Sequence, residues 1–386
     1  MNDALIEEIS RWVNIESPSS DASALQKMAE YIAQQAKTNQ LKVKRIDYGP
    51  NTGPALHIHN RAKGDISKGI LVLGHYDTVH PIGTIEANPC RLEGDKLYGP
   101  GVYDMKAGNC LVMHAMQQLA LPGSSKLPID FLLLPDEETG SHYSRASIES
   151  FAANANYCLV AEPARANGGR CVTSRKGTGT ITLTTHGVAA HAGVAHEKGQ
   201  NAILEMAHQV IALQQMTDYD IGTTVSVGTI TGGTTSNVVP DTCRVIADFR
   251  VTDEKAAKNL KALVENLQSK NSQVQLNIQF ELNRPAMVRT ADTEALLEKC
   301  QKFAQKAGFA LKEAPRTGGA SDANFTAALG VPTLDGLGAD GDGAHTLNEH
   351  ILVSTLAARA QFWYEMLAQL EPKPTHSTGV FHPMFD

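Results

Sequence analysis

The sequence predicts an α/β protein: a mixed, largely parallel sheet flanked by helices, interrupted by an inserted ferredoxin-like βαββαβ module. Two observations predict the sheet. Short, nearly continuous apolar runs recur at 70–77 (ILVLGHYD), 129–135 and 157–161, separated by a helical pattern or a glycine-rich stretch; such runs read as strands buried on both faces. Each also delivers a histidine or a carboxylate at its end, and in open α/β sheets the site lies beyond the carboxyl ends of the strands. The third observation predicts the insertion. From Lys176 the texture changes to alternating strands and amphipathic helices in the order of the split βαβ module.

The length of 386 residues allows about two or three domains, and 42% hydrophobic residues supply a sizeable core. Basic residues number 34 against 41 acidic, a net charge of −7, with no basic run; this argues against nucleic acid or an anionic membrane as partner. The six cysteines are scattered without a CxxC pair, so reduced, mostly buried thiols are expected rather than a disulfide framework or a zinc–thiolate site. The amino terminus is polar and acidic, and no apolar run approaches the ~18 residues of a membrane span. A soluble cytoplasmic protein is the expectation.

Taken in order, residues 3–16 show helical spacing, SPSSD breaks it, and Asp21 or Ser20 can cap a second helix over 22–38. Strands follow at 41–48 and 55–59, then the run at 70–77. Side chains at i and i+2 share a face of a strand, which puts His75 and Asp77 side by side. A metal-binding imidazole commonly has its other nitrogen held by a carboxylate, and Asp77 is placed for that. Residues 80–101, rich in Gly and Pro, read as a long loop. It leads to Asp104 and a helix starting at Met105 or Lys106. The strand at 129–135 delivers Glu137 and Glu138. In a continuing strand these would face opposite sides, so both enter one cleft only if the chain turns after Leu134 or Pro135. The third strand ends in Glu162.

The inserted stretch reads as strand 177–186, helix 200–213, strands 223–230 and 243–251, helix 254–267 and strand 274–282. The chain then resumes with a helix over 293–307, a glycine turn opening a helix at Ser321 or Asp322, a strand at 331–334, a glycine-rich loop with His345, a helix over 350–369, and an extended tail from 371 with two histidines. The expected division is 1–175 with 286–386, and 176–285 between them.

Six metal-capable groups thus fall on strand ends or glycine loops: His75, Asp104, Glu137, Glu138, Glu162 and His345. Taken singly, each has a plainer reading: a surface turn for His-x-Asp, an N-cap for Asp104, a solvated acidic loop for DEE. Together, two histidines and three carboxylates suit a pair of divalent ions with one bridging carboxylate, and the carboxylate left over suits a general base.

The blocks GHYDTV (74–79), YGPGVYDMKAG (98–108), LPDEETGS (134–141), AEP (161–163), HAGVAHEKGQNA (191–202), TSNVVP (235–240), ADFRV (247–251), NRPA (283–286), GGASDA (318–323) and the His345 loop resemble the zinc-dependent aminoacylase and carboxypeptidase family, over nearly the whole chain. Within it the likeness is to bacterial glutamate carboxypeptidases that cleave folates. The resemblance implies two Zn²⁺, with Co²⁺ or Mn²⁺ able to take the same ligands. It implies His75 and Glu162 on one ion, Glu138 and His345 on the other, and Asp104 bridging, with a cis peptide to Met105. Glu137 is then the base that takes a proton from water and returns it to the leaving nitrogen, and Asp77 orients His75.

The same resemblance implies that His191 of a second copy reaches the cleft to stabilise a developing oxyanion, and that Asn237 crosses likewise. Arg250 and Arg284 are expected to meet the substrate carboxylate, for which a guanidinium fork is the matching group. Gly318 and Gly319 are expected to let backbone approach the substrate. The function that follows is hydrolysis of an amide or peptide beside a small carboxylate-bearing residue, with C-terminal glutamate the leading product. The inserted module then acts as lid and homodimer contact. The rivals are an N-acyl amino acid deacylase of the acetylornithine or succinyl-diaminopimelate type, a dipeptidase, and a binding protein or structural dimer that keeps the fold without catalysis.

Overall fold

The structure, a computed structural model, describes residues 2–166 and 168–373. Two amphipathic helices, α1 (Asn2–Val13) and α2 (Ala22–Thr38), open the chain. Asp21 caps α2, its carboxylate accepting from the amides of Ser23 and Ala24. Strands β1 (Lys42–Ile46), β2 (Ala55–His59) and β3 (Gly69–His75) follow, then α3 (Ala107–Gln118), β4 (Ile129–Leu134), α4 (Arg145–Ala152) and β5 (Ala155–Val160). Next come β6 (Gly177–His186), α5 (Ala202–Gln214), β7 (Thr224–Gly232), β8 (Thr242–Val251), α6 (Glu254–Glu265) and β9 (Gln275–Arg284). The chain continues through α7 (Ala291–Lys306), α8 (Ala323–Ala328), β10 (Thr333–Leu334) and α9 (Leu356–Gln369).

The first sheet has the order β1-β2-β4-β3-β5-β10. From β4 through β10 the neighbours are parallel, and β1 and β2 form an antiparallel edge. The sheet is therefore mixed and largely parallel. Its central strands are buried along their whole length, and alternate residues serve opposite cores. Ile70, Val72, Phe131 and Leu133 pack with α1, α2, α3 and α9, whereas Leu71, Leu73, Leu132 and Leu134 pack with Ile148 of α4 and Phe325 of α8. Each such leucine stabilises the fold by roughly 1.5–3 kcal/mol. Register brings the strand ends level: His75 pairs with Leu134, and Leu73 with Val160. The residues just past β3, β4 and β5 thus emerge at one edge.

The second sheet has the order β7-β8-β6-β9, antiparallel throughout, the arrangement of a ferredoxin-like βαββαβ module. Ile181, Leu183, Val245 and Phe249 on one face meet Met206, Leu213, Leu260 and Val264 from α5 and α6. The opposite face is polar, as the alternation of β8 requires. Two linkers join the sheets, and Arg175 and Met287 exchange backbone hydrogen bonds across them, both 3.0 Å. The Asn324 amide donates to Lys176 O at 3.1 Å and Pro285 O at 2.6 Å.

Three expectations need correction. Residues 80–101 are not a structureless loop: Thr84–Ala87 is a helical turn, and Arg91–Glu93 with Lys96–Tyr98 is a hairpin. That hairpin pairs with His350–Leu352, which is strand rather than the start of α9. Segments this short carry no periodicity, and their partners lie some 250 residues apart in sequence (350 − 98 = 252). The helix after Asp104 starts at Ala107, because Asp104 and Met105, joined by a cis peptide, have non-helical dihedrals. All six cysteines are free, five of them buried. Among the described residues no helix is long and apolar enough to cross a membrane. The tail histidines lie outside the described residues.

Candidate metal centre

Two clusters share one residue. His75, Asp104 and Glu162 form the first, and Asp104, Glu138 and His345 the second, with ligand atoms in each within 4.8 Å of one another. His75 Nε2 lies 3.1 Å from Asp104 Oδ1 and 3.7 Å from Glu162 Oε1. His345 Nε2 lies 3.3 Å from Asp104 Oδ2 and 3.3 Å from Glu138 Oε2. Asp104 therefore turns one oxygen to each histidine. Its side chain makes no capping bond to the helix that follows, which leaves both oxygens for the clusters.

Asp77 does more than orient one ring. Its backbone carbonyl accepts from His75 Nδ1 at 3.0 Å, and its Oδ1 lies 3.3 Å from the same nitrogen. With Nδ1 held, Nε2 is the nitrogen left for the cluster. The Asp77 carboxylate also accepts the N–H groups of Glu137 and Glu138, each at 3.2 Å, and the Ser19 hydroxyl at 2.7 Å. The chain turns in a single 3₁₀ turn, Glu137–Thr139, and Asp77 fixes that turn, so both glutamates enter one cleft.

Electrostatics mark the site as short of positive charge. Burial disfavours a cationic His75, yet Asp104, Asp77 and Glu162 outweigh it and hold its pKa well above the ordinary value. Hydrogen bonds to Asp104 and Glu138 push His345 up to about 10. Burial raises Glu138, and burial with the charges of Asp104 and Glu137 raises Glu162. Burial pushes Glu137 up to about 8 against the pull of Arg284 and His75. Burial also opposes the charged form of Asp104, but His345 and His75 hold its carboxyl below the usual range. Buried carboxylates at this density are stable only with protons or cations among them. Glu138 Oε1 is buried with no hydrogen-bond partner, an orphaned acceptor at the place a cation suits. Imidazole nitrogen and carboxylate oxygen are ligands of zinc-like ions, so the residues present fit the group.

The clusters open on a cleft of ≈470 Å³ between the two sheets, lined by Glu137, Glu138, His142, Arg250, Arg284, Gly319 and His345 among others. Arg284 is buried, and its Nη2 donates to Glu137 Oε1 and O, both at 3.0 Å, to Ser141 Oγ at 2.8 Å and to Asp322 Oδ1 at 3.1 Å. Expected to meet a substrate carboxylate, Arg284 is here engaged by Glu137, Ser141 and Asp322, and so holds Glu137. Arg250 is more open. It forms a fork with Asp248, at 2.9 and 2.8 Å, and its Nη1 donates to Gly318 O at 3.3 Å. Gly319 O accepts from Arg175 at 3.1 Å. Neither Gly318 nor Gly319 has a positive φ or a close neighbour that a Cβ would meet.

His191 and Asn237 stand apart from this cleft. Both are exposed, on the ribbon that pairs His191 with Val238. Gly193 N–H donates to His191 Nδ1 at 3.1 Å, and Ala192 N–H to Asn237 O at 2.9 Å. The structure brings these two together, but not with the metal clusters of their own chain.

Sequence reasoning missed the groups that hold these side chains. The Asn109 amide donates to His75 O at 2.7 Å. Ser141 and Asp322 complete the Arg284 network. Buried Glu349 accepts from the Asp104 amide at 2.9 Å. Position gave one signal for Glu349, four residues past His345; nothing in its residue type gave another.

The sequence model of peptidase family M20/M25/M40 matches residues 71–369. Carboxypeptidase G2 from Pseudomonas sp. is 30% identical over 361 residues, covering 92% of this chain and 86% of that protein. A succinyl-diaminopimelate desuccinylase from Paracidovorax citrulli is 27% identical over 375 residues, covering 91% and 93%. Among solved structures, a tripeptidase from Staphylococcus aureus superposes with a TM-score of 0.75 at 21% identity, covering 96% of this chain and 99% of that one, which is a likeness of fold. Matched over most of its length and aligned nearly end to end with these hydrolases, the chain belongs to peptidase family M20/M25/M40, a family of peptidases and amide hydrolases.

Proposed function

We propose that this protein is a two-cation hydrolase that cleaves an amide or peptide bond beside a small carboxylate-bearing residue, releasing C-terminal glutamate or a similar amino acid. The observation that carries the reading is the disposition of Asp104, one oxygen toward His75 and the other toward His345, each histidine with a glutamate of its own. His75, Asp104 and Glu162 would hold one Zn²⁺, and Asp104, Glu138 and His345 the second. Bound there, the pair would supply Lewis-acid charge that makes water acidic and polarises the scissile carbonyl.

The chain's own residues do the rest. Glu137, with its pKa near 8 and its Oε1 held by Arg284, is matched to take a proton from water and pass it to the leaving nitrogen. Arg250, at the cleft wall, is the guanidinium placed to meet a substrate carboxylate once Asp248 yields. The open space beside Gly318 and Gly319, where a Cβ would meet nothing closer than 3.8 Å, supports the reading that substrate backbone approaches there. Residues 1–175 and 286–386 form the catalytic part of this reading, and 176–285 the lid, which also carries His191 and Asn237 toward a second copy.

A deacylase of the succinyl-diaminopimelate type is the second reading, favoured by the alignment that covers 91% of this chain. Chain stripped with chelator and reloaded with Zn²⁺ or Co²⁺ should release free amino acid from one member of a panel of C-terminal glutamate peptides, N-acyl amino acids, N-succinyl-diaminopimelate and dipeptides. Glu137→Gln should keep its bound metal while turnover falls about 10²–10⁴-fold. Unchanged turnover would remove Glu137 from the role.

A further inference from the structure

Glu349 has no part in the chemistry above, yet it is fully buried and its two oxygens accept four hydrogen bonds. Oε1 takes the main-chain N–H of Tyr103 at 2.8 Å and of Asp104 at 2.9 Å. Oε2 takes the N–H of Gly101 at 2.9 Å and faces His80 Nε2 at 2.8 Å. A buried carboxylate is costly unless its lone pairs are filled, and here three of the four donors belong to the short irregular segment that carries Asp104. Those amides have Glu349 as their acceptor, in a segment with no regular ladder.

The carboxylate also sits four residues after His345, on the same loop. The ends of that loop are short strands, Gly341–Asp342 and His350–Leu352, paired antiparallel with each other, the second also with Lys96–Tyr98; between them the loop has no regular element. His345 itself has φ 64°, in the left-handed region that a non-glycine residue rarely adopts. Between those paired ends, side-chain staples add to the strand pairing: Glu349 to residues 101–104, and the Asn88 amide to Leu347 O at 2.9 Å. Through His80 the same carboxylate reaches the segment that follows Asp77.

We infer that Glu349 is a positioning residue: it holds the main chain of Asp104 against the loop that carries His345, and so sets the spacing of the two cation subsites that share Asp104. The inference rests on the two-cation reading of the site. Asp104 has to present one oxygen to each subsite, so a shift of its backbone relative to His345 misplaces a ligand in both. Glu349→Gln keeps the shape but replaces one acceptor oxygen by an amide donor that faces N–H groups, which forces the segment away.

The test is cation binding by the full chain, stripped with chelator and titrated with Zn²⁺ well below its melting temperature, together with the visible absorption of the Co²⁺-loaded protein. The wild-type chain should bind two ions. Glu349→Gln should bind them about 10–100-fold more weakly, with an altered Co²⁺ spectrum. His80→Gln, which leaves the three main-chain bonds in place, should shift both readouts in the same direction by less. If Glu349→Gln binds two ions with wild-type affinity and spectrum, even with a lowered melting temperature, the residue is structural only and the inference is overturned. If that variant fails to fold, His80→Gln decides: weakened binding supports the inference and wild-type binding overturns it. A wild-type chain that takes up no Zn²⁺ would bring down the two-cation reading, and this inference with it.

Discussion

His59 shows how placement, rather than residue type, sets chemistry at a single residue. Its ring stacks on His57 with centroids 4.5 Å apart, and its Nδ1 is buried without a hydrogen-bond partner. Burial, and then the neighbouring His57, push its pKa from 6.5 down to about 4. The unfolded chain therefore binds a proton between those values that the folded chain refuses. Stability should fall as pH drops from about 6.5 toward 4 and then level off, by on the order of 2 kcal/mol from this group. Urea unfolding of wild type and His59→Leu across that range checks it; equal acid slopes would sink the assignment. The metal-capable residues were legible at this scale because each follows an apolar strand or sits in a glycine loop. Asp77 was legible as the orienter of His75, but its grip on the Glu137 and Glu138 amides was not, since no pattern in the sequence links residues 60 apart.

At the scale of the element, buried strands announced themselves by composition and short ones did not. The central strands carry continuous apolar runs because helices cover both faces. The two strands of the hairpin at 91–98 and the strand at 350–352 are three residues each; only their pairing makes them strands. Close approach between elements is equally hidden, as at Gly108. A Cβ there would lie 2.1 Å from Ala161 O and 3.3 Å from Gly338 Cα, contacts with backbone that cannot swing away. Gly108→Ala should push α3 off the end of β5, costing roughly 1–3 kcal/mol. Because Ala161 precedes Glu162, Zn²⁺ affinity should fall as well. Thermal melts with and without metal measure both. A variant as stable as wild type would show that the two elements have room to part.

At the scale of the whole molecule, the inserted module leaves His191 and Asn237 on an exposed ribbon outside the cleft of their own chain. The reading that gives them to a second copy has a sharp consequence. The protein should be a dimer in solution, and His191→Ala should lower turnover about 10²–10³-fold. Mixing His191→Ala chains with Glu137→Gln chains should then restore roughly a quarter of wild-type activity, since half the dimers are hybrids with one complete site each. A fully active monomer, measured by light scattering, would end that role for both residues.

The sequence by itself determined the α/β class, the insertion, and which residue types stand at the strand ends. Periodicity, glycine placement and apolar runs are local properties, and local properties survive in one dimension. Only the tertiary structure decided that the two oxygens of Asp104 face different histidines, that Arg284 grips Glu137, and that Glu349 binds three loops into one frame. Those facts depend on strand register and on hydrogen bonds between segments far apart along the chain. Buried polar groups find their partners only after the core has closed around them.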